Sequence, residues 1–296
     1  MMAPNSSLPL LLLLIFIIAA ATTVEIAHSF SLTTTTTSSS PTRTYTVTDV
    51  PIDDQDQSTA TKTSSLGERI KNGESIILIE DLVSTEECTF LITEVLRQDA
   101  TPTALEKPGL VRIPTRSAAE RAATFDIPCA DPLSAEVDNM LHTILKRATN
   151  VMTQQIPSIS EVLFGGESVC HLLGTDQLKF SSREPAINIY TPCGQFLAHK
   201  DAQAITVLIP LSCPDHHFQG GGTSFWSQDS RGHRVEDPTI ILKPAAGSAM
   251  LFGGCVTHAG VSVDKGTRVV FVASFSRASE ETPVVTEHRD IYGDSL

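Results

Sequence analysis

The stretch "AHKDAQ", residues 198 to 203, sets a histidine and an aspartate two apart in a run that has the character of a strand. Side chains alternate across a strand with period two, so His199 and Asp201 share one face while Lys200 points to the other, toward solvent or a second sheet. Such a pair can offer one metal ion two ligands. A third is available from His258 in "LFGGCVTHAG", placed at the end of a strand that opens after the turn "PAAG". Two imidazoles and one carboxylate suit a first-row transition metal and leave three coordination positions open for reactants. The chain carries its own control in His288 and Asp290, a second His-x-Asp that sits in a polar tail with no histidine after it. That copy completes no site.

Those residues need a scaffold that holds them face to face. From Pro185 onward the sequence breaks into short β runs punctuated by Gly and Pro: "AINIY", "QFLAH", "AITVLIPL", "GTSFW", "TIILKP", "SAMLF" and "RVVFVASFS". Many short strands at such spacing indicate a sandwich, barrel or jelly roll. Ahead of them, "SIILIE" (75–80) has the pattern of a strand. "STEECTFLITEVLR" (84–97) has that of a helix opened by a Ser84/Glu87 capping box, with Cys88, Leu91, Ile92 and Val95 on its apolar face. A second helix is expected to start at Asp131-Pro132 and to carry Val137, Met140, Leu141, Ile144, Leu145, Ala148 and Val151 at i, i+3, i+4 spacing. Helices first and strands after give an α+β class. Each helix has one apolar stripe and is expected to lie against a sheet.

The spacing around the ligands then becomes specific. Tyr190 stands nine residues before His199 with Gly194 between them, "GGGTSFW" supplies Gly221, Gly222, Thr223 and Phe225, and Arg268 stands ten residues after His258. In this pattern residues 77 to 276 resemble the catalytic domain of prolyl 4-hydroxylases within the 2-oxoglutarate and Fe(II) dioxygenase superfamily. The resemblance implies a double-stranded β-helix (jelly-roll) core over residues 66–279 with N-terminal buttressing helices. It implies Fe(II) held by His199, Asp201 and His258, and 2-oxoglutarate anchored by Arg268 and Tyr190. It further implies O₂ as oxidant, ascorbate as supporting reductant and hydroxylation of a peptidyl proline. An oxygenase acting on another residue or on a small molecule is the in-class alternative; a non-catalytic jelly roll holding a structural metal is the other. The chain departs from the prolyl hydroxylases at Arg268, where lysine is commoner, at Phe196, often tyrosine, and at Trp226, often proline.

Period two puts Arg268, Val270, Val272 and Ser274 on one face, so a guanidinium fork can meet a carboxylate inside an apolar barrel. Tyr190 in isolation has the look of a core aromatic, and its register with His199 makes it a site residue. Thr223 fits strand filling or a cofactor contact equally. His216 and His217, in "CPDHHFQGGG", fit a solvated loop, and Cys193 and Cys255 fit packing roles.

A net charge of −13 over 296 residues, with no basic cluster, excludes a nucleic-acid partner. Six cysteines, scattered singly without a CxxC, permit disulfides without indicating any pairing. Residues 1–29 contain the apolar run Leu10–Ala21, too short for a comfortable span and suited to a signal peptide, with an uncleaved anchor as the alternative and the one route to a membrane. Residues 30–65 are a Ser/Thr-rich linker with too little apolar surface to offset their ordering entropy. They also resemble the transit segment that follows a signal peptide in algae with complex plastids. The secretory pathway, with the endoplasmic reticulum lumen first, and the plastid are the two destinations. Residues 280–296 form a polar tail.

Overall fold

The computed structural model describes residues 45–52, 64–98, 108–228 and 234–278. The apolar run, most of the Ser/Thr-rich stretch and the His288–Asp290 tail lie outside them. In chain order the first half supplies β1 (Val47–Pro51), α1 (Leu66–Asn72), β2 (Ser75–Ile79), α2 (Thr85–Arg97), β3 (Leu110–Pro114), α3 (Arg116–Thr124), α4 (Ala135–Gln155), α5 (Pro157–Leu163) and α6 (Val169–Gly174). The second half supplies β4 (Leu178–Phe180), β5 (Ala186–Tyr190), β6 (Phe196–His199), β7 (Ile205–Pro210), β8 (Phe218–Gly220), β9 (Thr223–Trp226), β10 (Ile240–Leu242), β11 (Ala249–Gly253), β12 (Thr257–Gly260), β13 (Val263–Gly266) and β14 (Arg268–Arg277).

Eight of these strands pass back and forth between two sheets. The major sheet contains the run β11-β7-β14-β5, and the minor sheet is β10-β9-β12-β6. All pairings within them are antiparallel. Two antiparallel sheets filled in turn by one chain, with the consecutive β9 and β10 both kept in the minor sheet, are a double-stranded β-helix, so the fold is the α+β jelly roll expected. β2 and β1 extend the major sheet beyond β11, β3 extends it beyond β5, and β4 pairs with β14, while β8 and β13 form a separate ribbon.

Each face of the major sheet buries a different cluster. Ile77, Ile79, Val207, Ile209, Ala249, Leu251, Val269, Phe271 and Phe275 pack outward with Leu91 and Val95 of α2 and Leu141, Ile144, Leu145 and Ala148 of α4. Ile76, Tyr190, Leu208, Phe225, Met250, Phe252 and Val270 fill the space between the sheets. Both faces are covered, which is why β7 and β11 are buried at every position and do not alternate.

Local chemistry fixes the helix starts. Ser84 Oγ accepts from Glu87 N at 3.2 Å and Glu87 Oε2 accepts from Ser84 N at 2.8 Å, the capping box expected. α4 starts at Ala135, not at Pro132. Leu133 N donates to Pro114 O, which ties this segment to the end of β3, and Ser134 Oγ then accepts from Val137 N to cap the helix. Inside the span whose composition indicates a linker, Val47–Pro51 pairs with β2 and Ile52 beyond it is buried. The alternation of Val47, Asp49 and Pro51 with Thr48 and Val50 allows that edge strand. The short helices α3, α5 and α6 carry no sequence signal strong enough to separate them from loops.

His258 departs from expectation in its strand. β11 ends at Gly253, and the chain turns through Gly254 before crossing to β12 in the minor sheet. A Cβ on Gly254 would lie 1.8 Å from Gln203 O and 2.8 Å from Asp201 O. Only glycine lets this turn press on the backbone that carries the aspartate. Gly254→Ala is expected to cost at least about 1–3 kcal/mol, the range for an overpacked core, and to be read as a lowered urea midpoint with an unchanged m-value. A midpoint equal to wild type would show that this contact is relieved cheaply.

Candidate metal centre and its pocket

Pairing of β6 with β12 puts His199 directly opposite His258. Their ring centroids are 4.3 Å apart, and the two Nε2 atoms lie 3.5 and 3.7 Å from the carboxylate oxygens of Asp201. One ligand atom from each residue falls within 4.8 Å of the others. The tautomers follow from the backbone. His199 Nδ1 is 2.7 Å from Leu197 O and His258 Nδ1 is 3.1 Å from Val256 O; a carbonyl only accepts, so each Nδ1 carries a proton and each Nε2 is left facing the carboxylate.

Asp201 lies just beyond the end of β6, held by Thr206 of β7, whose hydroxyl donates to Oδ2. Burial works to raise its carboxyl, but His258, His199 and the Thr206 hydroxyl outweigh burial and hold it well below the usual carboxylate range. His258 is lowered to about 4, by burial first and by His199 second, against the pull of Asp201. The set is therefore a carboxylate and two imidazoles, of which His258 at least is neutral at neutral pH. That is the protonation state a divalent metal requires.

β6 is irregular where the site needs it. Its register against β12 shifts between His199↔His258 and Phe196↔Gly260, a bulge that lets Phe196 and His199, three residues apart, both line the pocket. Their rings lie 4.6 Å apart. Strict alternation would have sent one of them outward.

The pocket opens between the two sheets, with the three candidate ligands and Arg268 in its lining. Arg268 pairs with Tyr190 across β14 and β5, and its guanidinium lies 5.1 Å over the tyrosine ring. Arg268 Nη2 donates to Thr223 Oγ1 at 3.0 Å, which makes Thr223 a positioning residue. Arg268 is 2% exposed, and among the described residues no carboxylate is paired with it. Burial pushes its guanidinium down, yet arginine stays protonated in proteins. The pocket thus keeps a buried cation in need of an anion.

All five residues expected from the sequence, His199, Asp201, His258, Arg268 and Tyr190, line this one pocket. Sequence reasoning missed Arg112, Glu184 and Asn188, which line it too. Asn188 was legible in principle, two residues before Tyr190 and hence on the same face. His216 and His217 lie exposed in the β7–β8 loop as expected, while Cys193 is exposed and all six cysteines are free. Among the described residues no helix is long and apolar enough to cross a membrane.

No protein-family model matches the chain, and no curated protein matches it. Solved structures do. A viral collagen prolyl hydroxylase from Paramecium Bursaria Chlorella virus-1, in a complex with 2-oxoglutarate, is 14% identical over 71% of this chain and 99% of its own, with a TM-score of 0.40. A prolyl hydroxylase from Trichoplax adhaerens, in complex with a hypoxia inducible factor peptide fragment, is 11% identical over 72% of this chain and 87% of its own, with a TM-score of 0.45. HygX from Streptomyces hygroscopicus, with nickel and 2-oxoglutarate bound, is 14% identical over 79% of this chain and 95% of its own, with a TM-score of 0.44.

Proposed function

We propose that the chain is an Fe(II)- and 2-oxoglutarate-dependent dioxygenase. The observation that carries this reading is the pairing of an open three-ligand face with a buried, anion-seeking Arg268 in one pocket. The donor set fits Fe(II): two imidazole Nε2 donors and one carboxylate, with no fourth His, Cys, Asp or Glu in the group among the described residues, whereas structural zinc sites close with four protein ligands. When bound, iron supplies the oxidative decarboxylation of 2-oxoglutarate to succinate and CO₂ coupled to hydroxylation of a C–H bond. His199, Asp201 and His258 hold the metal; Arg268 takes the far carboxylate of 2-oxoglutarate. Tyr190 and Thr223 fix the guanidinium, and Phe196, Leu208 and Val272 keep that end of the pocket apolar. Ascorbate is the reductant we would supply in assays. The alternative, a metal-holding module without turnover, leaves Arg268 with no anion.

Anaerobic titration with Fe(II) and 2-oxoglutarate should yield a charge-transfer band at one equivalent of metal. His199→Ala and His258→Ala are expected to lose metal while keeping the fold, and His288→Ala to behave as wild type. Losing one partner of a buried ion pair costs about 3–5 kcal/mol, so Arg268→Ala should weaken 2-oxoglutarate at least a hundredfold with metal binding retained. Unchanged 2-oxoglutarate affinity in that variant would remove the clamp.

The substrate we propose is a proline within a peptide, supported by the likeness of "YTPCGQFLAHKD" and "GGGTSFW" to prolyl hydroxylases. Mass spectrometry of proline-rich peptides incubated with enzyme, Fe(II), 2-oxoglutarate and ascorbate should show one added oxygen on proline. Succinate formation stimulated only by free amino acids or other metabolites would assign a small-molecule substrate instead.

The run Leu10–Ala21 supports entry to the secretory pathway, with the plastid as the second destination. N-terminal sequencing of native protein should begin beyond Ala21. A form that retains Met1 would refute cleavage.

A further inference from the structure

The pocket contains a second buried arginine that this reading leaves without a task. Arg112 sits on β3 opposite Asn188 of β5, two residues along from the Leu110↔Tyr190 pair and so on the same inward face. Its Nε donates to Asn188 Oδ1 at 2.8 Å and its Nη1 to Glu184 Oε1 at 3.3 Å. Nη2 has no hydrogen-bond partner among the described residues. The guanidinium lies 5.3 Å over the Phe196 ring, whose centroid is 4.6 Å from that of His199, and all three side chains line the same pocket as the candidate metal ligands.

Arg112 and Arg268 differ in one respect. Among the described residues Arg268 has no acid partner, whereas Arg112 is matched by Glu184, both of whose oxygens accept from an N–H: Oε1 from Arg112, and Oε2 from Ser274 N at 2.7 Å, with the Ser274 hydroxyl adding a bond at 2.5 Å. With Asp201 the pocket holds two arginines and two carboxylates, and a divalent metal and a dicarboxylate cancel one another. A further carboxylate brought in by the substrate would be buried without compensation, which is costly, while a neutral amide oxygen needs only the hydrogen bonds it gave up to water.

We propose that Arg112, charge-matched by Glu184, is the specificity-determining contact for the primary substrate and takes an uncharged carbonyl oxygen, as in a peptide amide, rather than a carboxylate. The inference rests on the dioxygenase reading and deepens it. It makes a proline inside a chain acceptable and a free C-terminal or single proline a poor guest. A pocket that supplies donors for a carbonyl also rejects ligands lacking one more strongly than an apolar pocket could.

The test is calorimetric and needs no turnover. Protein loaded with Mn(II) and 2-oxoglutarate without oxygen is titrated with N-acetyl-L-prolinamide and with N-acetyl-L-proline, which share a shape and differ in charge. Wild type is expected to bind the amide at least about tenfold more tightly than the carboxylate. Glu184→Gln, which leaves Arg112 unmatched, should erase or invert that preference. Arg112→Lys, which keeps the charge but loses the planar fork, should weaken the amide about tenfold with 2-oxoglutarate affinity unchanged. Should Arg112→Lys fail to fold, the inversion in Glu184→Gln decides by itself. Equal affinities for the two probes in wild type and Glu184→Gln, or no binding of either to protein that does bind Mn(II) and 2-oxoglutarate, would overturn the inference. Failure of wild type to bind Mn(II) and 2-oxoglutarate would remove the dioxygenase reading on which it stands.

Discussion

The cross-strand contact between His199 and His258 is the arrangement on which the other features of the site depend. Two imidazoles 4.3 Å apart, each with Nδ1 tied to the carbonyl two residues before it, have their Nε2 atoms turned toward one carboxylate. Nothing in either strand alone could do this. It requires β6 and β12 to be neighbours in the minor sheet, and that requires the chain to leave the major sheet after Tyr190 and again after Gly253. The bulge in β6 and the bare backbone of Gly254 are local consequences of bringing those strands and the Asp201 segment to one place.

Around that contact the interior manages charge by unequal means. Glu184 is raised by burial first and by nearby Asp201 second, against Arg112 and the Ser274 donors. Ser274 in turn pairs across the sheet with Thr206, the residue that donates to Asp201. Arg112, Glu184 and Ser274 are thus joined by hydrogen bonds, as are Thr206 and Asp201, and the pairing of Ser274 with Thr206 sets the two groups side by side in one polar row. Such a row specifies its partners closely, because each unsatisfied member would cost more than its bond contributes.

Much of this was legible in the sequence, and the limits have physical reasons. His199, Asp201, His258, Tyr190 and Arg268 announce themselves by residue type and spacing, because strand periodicity converts spacing into a shared face. Arg112 and Glu184 gave no such signal: they come from segments about 70 residues apart, and only the placement of β3 beside β5 unites them. The Ser84/Glu87 box fixed one helix start because both partners are local, whereas the start of α4 depends on a bond from Leu133 to Pro114 that no local pattern encodes. The turn after Gly253 was hidden for a similar reason. "SAMLFGGCVTHAG" has the pattern of one strand until the close approach of Gln203 to Gly254 is known.

The two sheets are not equivalent walls. The major sheet is backed by α2 and α4 and carries Arg268, Tyr190 and Arg112, while the two histidines belong to the minor sheet, where Leu197 and Ile241 remain 40% and 49% exposed. A molecule of the kind proposed, held at one end through the histidines and at the other by Arg268, would span the gap between them, as a tie rod spans two plates. Its occupancy would then add to the cohesion of the whole sandwich by mass action, and its loss would leave the thinner wall freer to separate from the thicker one.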